Sequence, residues 1–527
     1  MTNIMSKQFD TIIIGGGHNG LVCAAYLARA GHKVCVLEAA DKVGGAAVTD
    51  TLMDGFKVST GAQFLNQLHP TIVKDLALEA HGLSLAAHDI STIALNAKGD
   101  HLTLGRSAVS GGDISDEDKA AYAAFMSRMR DFAGTLAHLI DLPPIDIFNP
   151  DWDDKKGAIK LGLKLRFGLG KEKMQDFLRI VGINMFDVLT ENFESDLLKG
   201  ALSLDAVLGT HAGPRTPGSV LTYLYRIAIG SKNNRGAVNI PKGGMGAVSD
   251  ALAKAAIAAG VDIRTSARVT NVTVEKCRVT GVTLASGEKI TSHRVVSNAD
   301  PKTTVFTLVG PRHFEADFVK GIDNLRTKGT AAKLHLALKY LPEFTGLEPS
   351  QLKGRMVIAP SANAVERAFN HAKYGEVSTE PMMEFSIPSL VDDSLCNGSG
   401  HVLNATVQYA PYHLKGGWNE AAKNDFMASA ITRLEQYAPD IRKHILVAEM
   451  LSPVDIEARF GLTGGHWSHG EMAIDQMLMM RPTPGASRYA LPLDGLYLCG
   501  AGAHPGGGVM GAAGRNAASI ILKGEGA

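Results

Sequence analysis

The sequence predicts an α/β protein in which a parallel-sheet domain, built from separated stretches, is interleaved with an α+β domain. Three observations predict it. A strand, a glycine turn, a helix and a second strand follow one another at the start of the chain, within the roughly 30 residues of a βαβ unit. A strand, a long glycine cluster and a helix close the chain. Between these ends, helical and strand patterns alternate with no internal repeat and no low-complexity linker. At 527 residues the chain is also too long for one ordinary core.

Residues 9–14 (FDTIII) are a short apolar run that stops at glycine, the pattern of a buried parallel strand. Residues 21–30 (LVCAAYLARA) have helical periodicity, and Gly31 is placed to end that helix. Residues 33–38 (KVCVLE) read as the second strand. From 87 to 239 the patterns are helical, notably over 116–139 and 174–188, punctuated by Pro143-Pro144, Pro214 and Pro217. This stretch reads as a helical insertion. Residues 241–246 (PKGGMG) open a helix over 247–259. A strand pair is predicted at 261–274 and 279–284, with Ser286-Gly287 as turn. Further strands are predicted at 294–297, 330–338, 402–409 and 445–451, and a helix at 420–437. The predicted domains are thus 8–86, 240–300 and 490–523 for the parallel-sheet domain, and 87–239 with 301–489 for the other.

Gly15-x-Gly17-x-x-Gly20 follows the first strand and opens the first helix, with His18 and Asn19 inside the turn. The first glycine permits the turn, the second lets a pyrophosphate approach the backbone, and the third lets helix and strand pack closely. Glu38 ends the second strand, where an acid accepts hydrogen bonds from an adenosine ribose and disfavours a 2′-phosphate. This unit alone would hold NAD or FAD. Two further glycine-rich turns, one at Gly44-Gly45-Ala46 and one containing Ala62, suit a ligand that extends beyond the pyrophosphate. The C-terminal cluster, with Gly500, Gly502, Gly508, Val509 and Met510, leads into a helix start that can stabilise charge on a reduced isoalloxazine. It has no acid of its own, so it does not read as a second dinucleotide unit. Together these features favour FAD.

The segments GGGHNGLVCAAYLARAG, LEAADKVGGAAVTD, PKGGMGAVSDAL and GLYLCGAGAHPGGGVMGAAGRNAA resemble the phytoene desaturase-like FAD oxidoreductases. The opening and ending are also similar to those of FAD-type beta-carotene ketolases. GLTGGHWSHGEMAIDQMLMMRP extends the resemblance to nearly the whole chain. It implies a Rossmann-type FAD domain of the glutathione reductase/amine oxidase-like superfamily, with a substrate domain over the flavin. It also implies backbone contacts from Val269 to adenine. The activity it implies is dehydrogenation, desaturation or oxygenation of an apolar, isoprenoid- or carotenoid-like substrate. Amine-oxidase relatives often carry Arg where this chain has Ala46, which weakens an amine oxidase reading. A flavin-bound regulatory or interaction protein with little turnover is the other alternative.

Candidate catalytic groups are His466 and His469, beside Trp467 in GGHWSHG, and His504 in the terminal glycine cluster. Histidine transfers protons near neutral pH; support of the loops by hydrogen bonding is the alternative role. No third ligand follows the histidine pair, so no metal site is predicted. Gly244-x-Gly246 lacks a preceding strand and a following acid, so no NAD(P)H domain is predicted either. Electrons would leave to oxygen, a quinone or a protein, and a redox-neutral isomerisation is also compatible.

Lys plus Arg and Asp plus Glu balance at 53 each with no long basic run, which gives nucleic-acid binding no electrostatic support. Five scattered cysteines without C-x-x-C indicate neither a zinc site nor a redox dithiol. No apolar run reaches the roughly 18 residues that cross a bilayer. The short polar lead leaves no room for a cleaved leader. The chain therefore reads as cytoplasmic, and both peripheral membrane contact and a homodimer are compatible with it.

Overall fold

The computed structural model describes residues 8–145, 150, 152–230, 234–398 and 400–524. A five-stranded parallel sheet is drawn from both ends and the middle of the chain. Its order is Asp262–Arg264, Val34–Leu37, Thr11–Ile14, Val295–Ser297 and Leu496–Leu498. TIII and VCVL are buried along their whole length, as strands covered on both faces must be. The helix His18–Arg29 lies against Gly246–Ala258 and Ala512–Gly524. Small residues permit that approach. A Cβ on Gly514 would lie 2.1 Å from the Asn19 carbonyl oxygen, so only glycine lets the first and last helices meet there.

The stretch 261–274 is not one strand. Asp262–Arg264 joins the parallel sheet, and Val269–Glu275 pairs with Arg278–Leu284 in a separate three-stranded antiparallel sheet completed by Lys289–Thr291. The break falls where Ser266 N–H donates to Ala40 O (2.7 Å) and Ala267 N–H to Glu38 O (2.8 Å). Ser286-Gly287 turns between the second and third of these strands rather than between the first and second.

The second large sheet has eight strands. Its order is Ile445–Leu451, Ala331–Leu338, His401–Gln408, Met382–Ser386, Arg355–Ile358, Thr92–Ala94, Leu102–Leu104 and Val109–Ser110. All neighbours are antiparallel except Arg355–Ile358 with Thr92–Ala94. One face packs on the helices Asp116–Ile140, Asp196–Val207 and Ser219–Ala228, and the other on Glu420–Glu435. The expected helical insertion over 87–239 therefore starts with sheet. Its strands are two or three residues long, too short to show a period of two. The pattern over 174–188 divides into Lys171–Ile180 and Met185–Asn192, because Asn184 caps the second helix by accepting from Asp187 N–H.

Candidate functional site

The helix His18–Arg29 starts at the carboxyl end of the central parallel strand. Gly17 is its N-cap, without a side-chain cap and without an acid in the first turn. Its N–H groups and positive end are therefore open to an anionic ligand. Gly15 takes φ +95°, and a Cβ on Gly20 would lie 2.3 Å from Gly15 O. Glu38 braces this turn: its carboxylate accepts from Gly16 N–H (2.7 Å) and Ala40 N–H (2.8 Å). One bond on each oxygen leaves lone pairs for further donors. The next turn stacks alongside, with Gly44 N–H donating to Gly16 O (2.9 Å) and Ala62 N–H to Ala46 O (2.8 Å). Across the whole length of the chain, His18 Nε2–H donates to Gly508 O (3.0 Å). Burial holds the His18 imidazole down to about 4, so it stays neutral.

A cavity of about 410 Å³ opens from this cradle, with walls from both large sheets. Gly15, Gly17, His18, Asn19 and Glu38 line one end. Gly44, Gly45, Ala46 and Ala62 line its side, and Val269, Gly508 and Val509 also reach it. Gly20, Gly500, Gly502 and Met510 lie outside the cavity wall. A Cβ would meet Asn298 O at 2.6 Å from Gly500 and Pro301 Cδ at 2.3 Å from Gly502, so these glycines serve close packing. Met510 is wholly buried in the core shared with the helices, its Sδ 3.7 Å from Tyr225 Oη. Asn19 Oδ1, Gln63 Oε1 and His469 Nδ1 are buried on the cavity wall without a protein hydrogen-bond partner. An open helix start, a floor rich in glycine and these unpaired polar atoms fit a long dinucleotide.

The three candidate histidines separate. His469 lines the cavity, and burial holds its imidazole down to about 4 although Asp300 pulls it upward. His466 is buried behind it, its Nδ1 accepting from Ser468 N–H (3.3 Å). His504 also stands outside the cavity, donating from Nε2–H to Leu139 O (2.8 Å) at the end of the helix Asp116–Ile140. His504 thus ties the terminal glycine cluster to the helical layer.

A charged cluster on the cavity wall was not read from the sequence. Glu384 accepts from Arg355 Nε (2.6 Å), Gln63 Nε2 (3.0 Å) and Arg226 (3.3 Å), while Asp205 pairs with Arg355 and with Arg226 (3.4 Å). Burial would raise the Glu384 carboxyl, but Arg355, Arg226 and Lys333 hold it below the ordinary range. Lys333 has no carboxylate within ion-pair distance among the described residues; its Nζ donates to Thr406 Oγ1 (2.8 Å) and lies 5.7 Å from the centre of the Trp467 ring. Burial draws its ammonium down to about 8 against the pull of Glu384. A lysine inside AAKLHLAL and a glutamate inside MMEFS were the available signals. A charge in a strand buried throughout requires a partner or a function.

The family model for flavin containing amine oxidoreductases matches residues 20–357. The chain belongs to that family. It is 36% identical to mouse (Mus musculus) pyridine nucleotide-disulfide oxidoreductase domain-containing protein 2, over 98% of this chain and 94% of that one. A limonene dehydrogenase chain from Castellaniella defragrans is 26% identical over 98% and 95%. A lycopene-forming phytoene desaturase from Pseudescherichia vulneris is 24% identical over 97% and 99%. Among solved structures, a putrescine oxidase mutant superposes with a TM-score of 0.62 at 16% identity, covering 98% and 99%, which bears on the fold. The family is one of flavin-dependent oxidoreductases. Despite the first relative's name, this chain has no C-x-x-C, and its neighbouring thiols Cys23 and Cys499 are both wholly buried and free.

Proposed function

We propose that the cavity holds FAD and that the chain oxidises a C–H bond of a substrate with a large apolar body, by dehydrogenation or oxygenation. The observation that carries this reading is the continuity of the glycine cradle with a mainly apolar chamber walled by Leu208, Ile456, Phe460, Leu462 and Met472. The names of two relatives, a limonene dehydrogenase and a phytoene desaturase, support a hydrocarbon-like substrate. Bound flavin would supply a two-electron acceptor for hydride. Gly15, Gly17 and the open helix start would hold the pyrophosphate, and Glu38 the ribose. Val269 would flank the adenine, while Gly45, Ala46, Ala62, Gly508 and Val509 would follow the rest. Lys333 would set a positive charge where a reduced ligand gains negative charge. The neutral His469 offers an unpaired Nδ1. Electrons would pass on to oxygen, a quinone or a protein.

A second reading, an amine oxidase, follows from the family's name. The electrostatics favour it less. Asp205 and Glu384 are already engaged by Arg226 and Arg355, and Lys333 adds a further positive charge. An ammonium substrate would meet Lys333 and Arg226 beside carboxylates that already hold guanidinium partners.

The test is anaerobic flavin reduction. The purified protein is expected to carry FAD, and its visible absorbance to bleach with cyclic or linear isoprenoids but not with primary amines. Bleaching by amines alone would reverse the order of the two readings. A protein that takes up no flavin on reconstitution removes both.

A further inference from the structure

Six of the twelve large hydrophobic side chains that stand exposed among the described residues fall between 142 and 178. Four of them, Trp152, Ile159, Leu163 and Phe167, are 70%, 64%, 52% and 76% exposed. Trp152, Ile159 and Leu163 belong to the helix Trp152–Lys164, and Phe167 to the turn Leu165–Leu169 that continues it. At about 100° per residue, the three helical positions fall within roughly 20° of a single line along the helix. Asp154 lies about 160° around from Trp152 by the same geometry. It is buried and paired with Arg488 at 3.1 Å. The helix is therefore amphipathic in the inverted sense. The ion pair of the buried Asp154 with the half-exposed Arg488 fixes its inner side, and its apolar stripe faces outward.

The stripe is bordered by cations. Lys155 Nζ and Lys156 Nζ lie 6.0 and 5.9 Å from the Trp152 ring, and the Arg166 guanidinium lies 5.8 Å from that of Phe167. Residues 152–173 hold seven Lys and Arg against three Asp and Glu, in a chain whose total formal charge is zero. An exposed apolar patch needs a cover. A positive border restricts the cover to one carrying negative charge. An outward stripe of Trp, Ile, Leu and Phe with flanking Lys and Arg is the composition of a helix that lies in a membrane interface. No described helix is long and apolar enough to cross a membrane.

We propose that the segment 152–173 docks this protein on the surface of a membrane containing anionic lipid, with Trp152, Ile159, Leu163 and Phe167 entering the headgroup region. The proposal does not depend on the reaction. It gives an enzyme for apolar molecules direct access to the phase in which they dissolve.

The test is flotation of the full-length, flavin-loaded protein with vesicles of phosphatidylcholine alone or with about one-third phosphatidylglycerol. The wild type is expected to float with the anionic vesicles, to bind the neutral ones weakly, and to be released by high salt. The pairs Trp152→Ser with Phe167→Ser and Lys155→Glu with Lys156→Glu should each lower the bound fraction about tenfold or more. Their flavin content and melting should match the wild type. The proposal is overturned if the wild type does not bind anionic vesicles, or if either pair binds as the wild type does. It is also overturned if light scattering shows a dimer that the Trp152/Phe167 pair dissociates while vesicles bind neither form. That result would make the patch a contact between two copies of this chain.

Discussion

Replacing Lys333 with methionine should make the protein more stable at neutral pH while impairing its chemistry. The side chain is 3% exposed and donates to Thr406 Oγ1. Burial draws its pKa from 10.5 to about 8. At 1.36 kcal/mol per unit, holding this charge in the folded chain costs roughly 3 kcal/mol. Methionine keeps the length and removes the charge, at the loss of one hydrogen bond contributing about 1 kcal/mol. A net gain of roughly 2 kcal/mol is expected at pH 7. The pH dependence is the sharper readout. With the folded pKa below the unfolded one, the unfolded chain binds the extra proton between about pH 8 and 10.5, so wild-type stability rises with pH across that window. The penalty is fully present below about pH 8, and about 2 kcal/mol of it is relieved by pH 9.5. Urea and thermal unfolding of flavin-loaded wild type and Lys333→Met at pH 7 and 9.5 should show the advantage of the variant closing by that amount. A stability difference of the same sign and size at both pH values would refute the desolvation argument.

Other substitutions test separate parts of the site. Glu38→Ala removes the acceptor of Gly16 N–H in the glycine turn and of Ala40 N–H after the second strand, and should lower the flavin-to-protein ratio retained through gel filtration. Gly61→Ala places a Cβ 2.2 Å from Ala46 O, and should cost both flavin retention and melting temperature. Glu384→Gln leaves Arg355 and Arg226 with Asp205 as their remaining carboxylate and should destabilise by an amount approaching the 3–5 kcal/mol of a broken buried pair. Because the folded Glu384 pKa is lowered, its stabilisation is present above the ordinary carboxylate range and lost as pH falls. The variant should therefore show a flatter acid limb in its unfolding profile. His504→Ala should lower the melting temperature without altering the rate of flavin reduction, whereas His469→Asn should alter that rate.

Two strands of the parallel sheet, Thr11–Ile14 and Val34–Leu37, were legible because each is a continuous apolar run that meets Gly15 or Glu38, whereas Asp262–Arg264, with a charge at each end, was read into a longer strand. The glycines of the first turn were legible because their spacing is fixed by backbone contact. Contacts set by tertiary packing were not. Gly500 and Gly502 stand in the same glycine cluster as Gly508, yet they meet Asn298 and Pro301 rather than the cavity. Nothing in their local sequence separates them from Gly508. The strands Thr92–Ala94, Leu102–Leu104 and Val109–Ser110 are too short for a period to register, and only the pairing of Thr92–Ala94 with the distant Arg355–Ile358 joins them to the sheet. The charged cluster joins positions 63, 205, 226, 333, 355 and 384, which no local motif connects.

That cluster also constrains the substrate. Three cations and two carboxylates on and behind one wall leave a positive excess, and each carboxylate is already paired with both Arg226 and Arg355. Burying such a group is expensive and is seldom the most stable solution open to a core. An all-apolar substrate would leave the Lys333 ammonium with no polar partner beyond Thr406. A molecule with an apolar body and one electron-rich end would satisfy both halves of the cavity. It would lie along Ile456, Phe460 and Met472, with its polar end at Lys333 and Arg226. The isoprenoids most worth testing are therefore those that carry a carbonyl, hydroxyl or carboxylate. If pure hydrocarbons reduce the flavin as fast as their oxygenated counterparts, the positive charge acts on the flavin and not on the substrate.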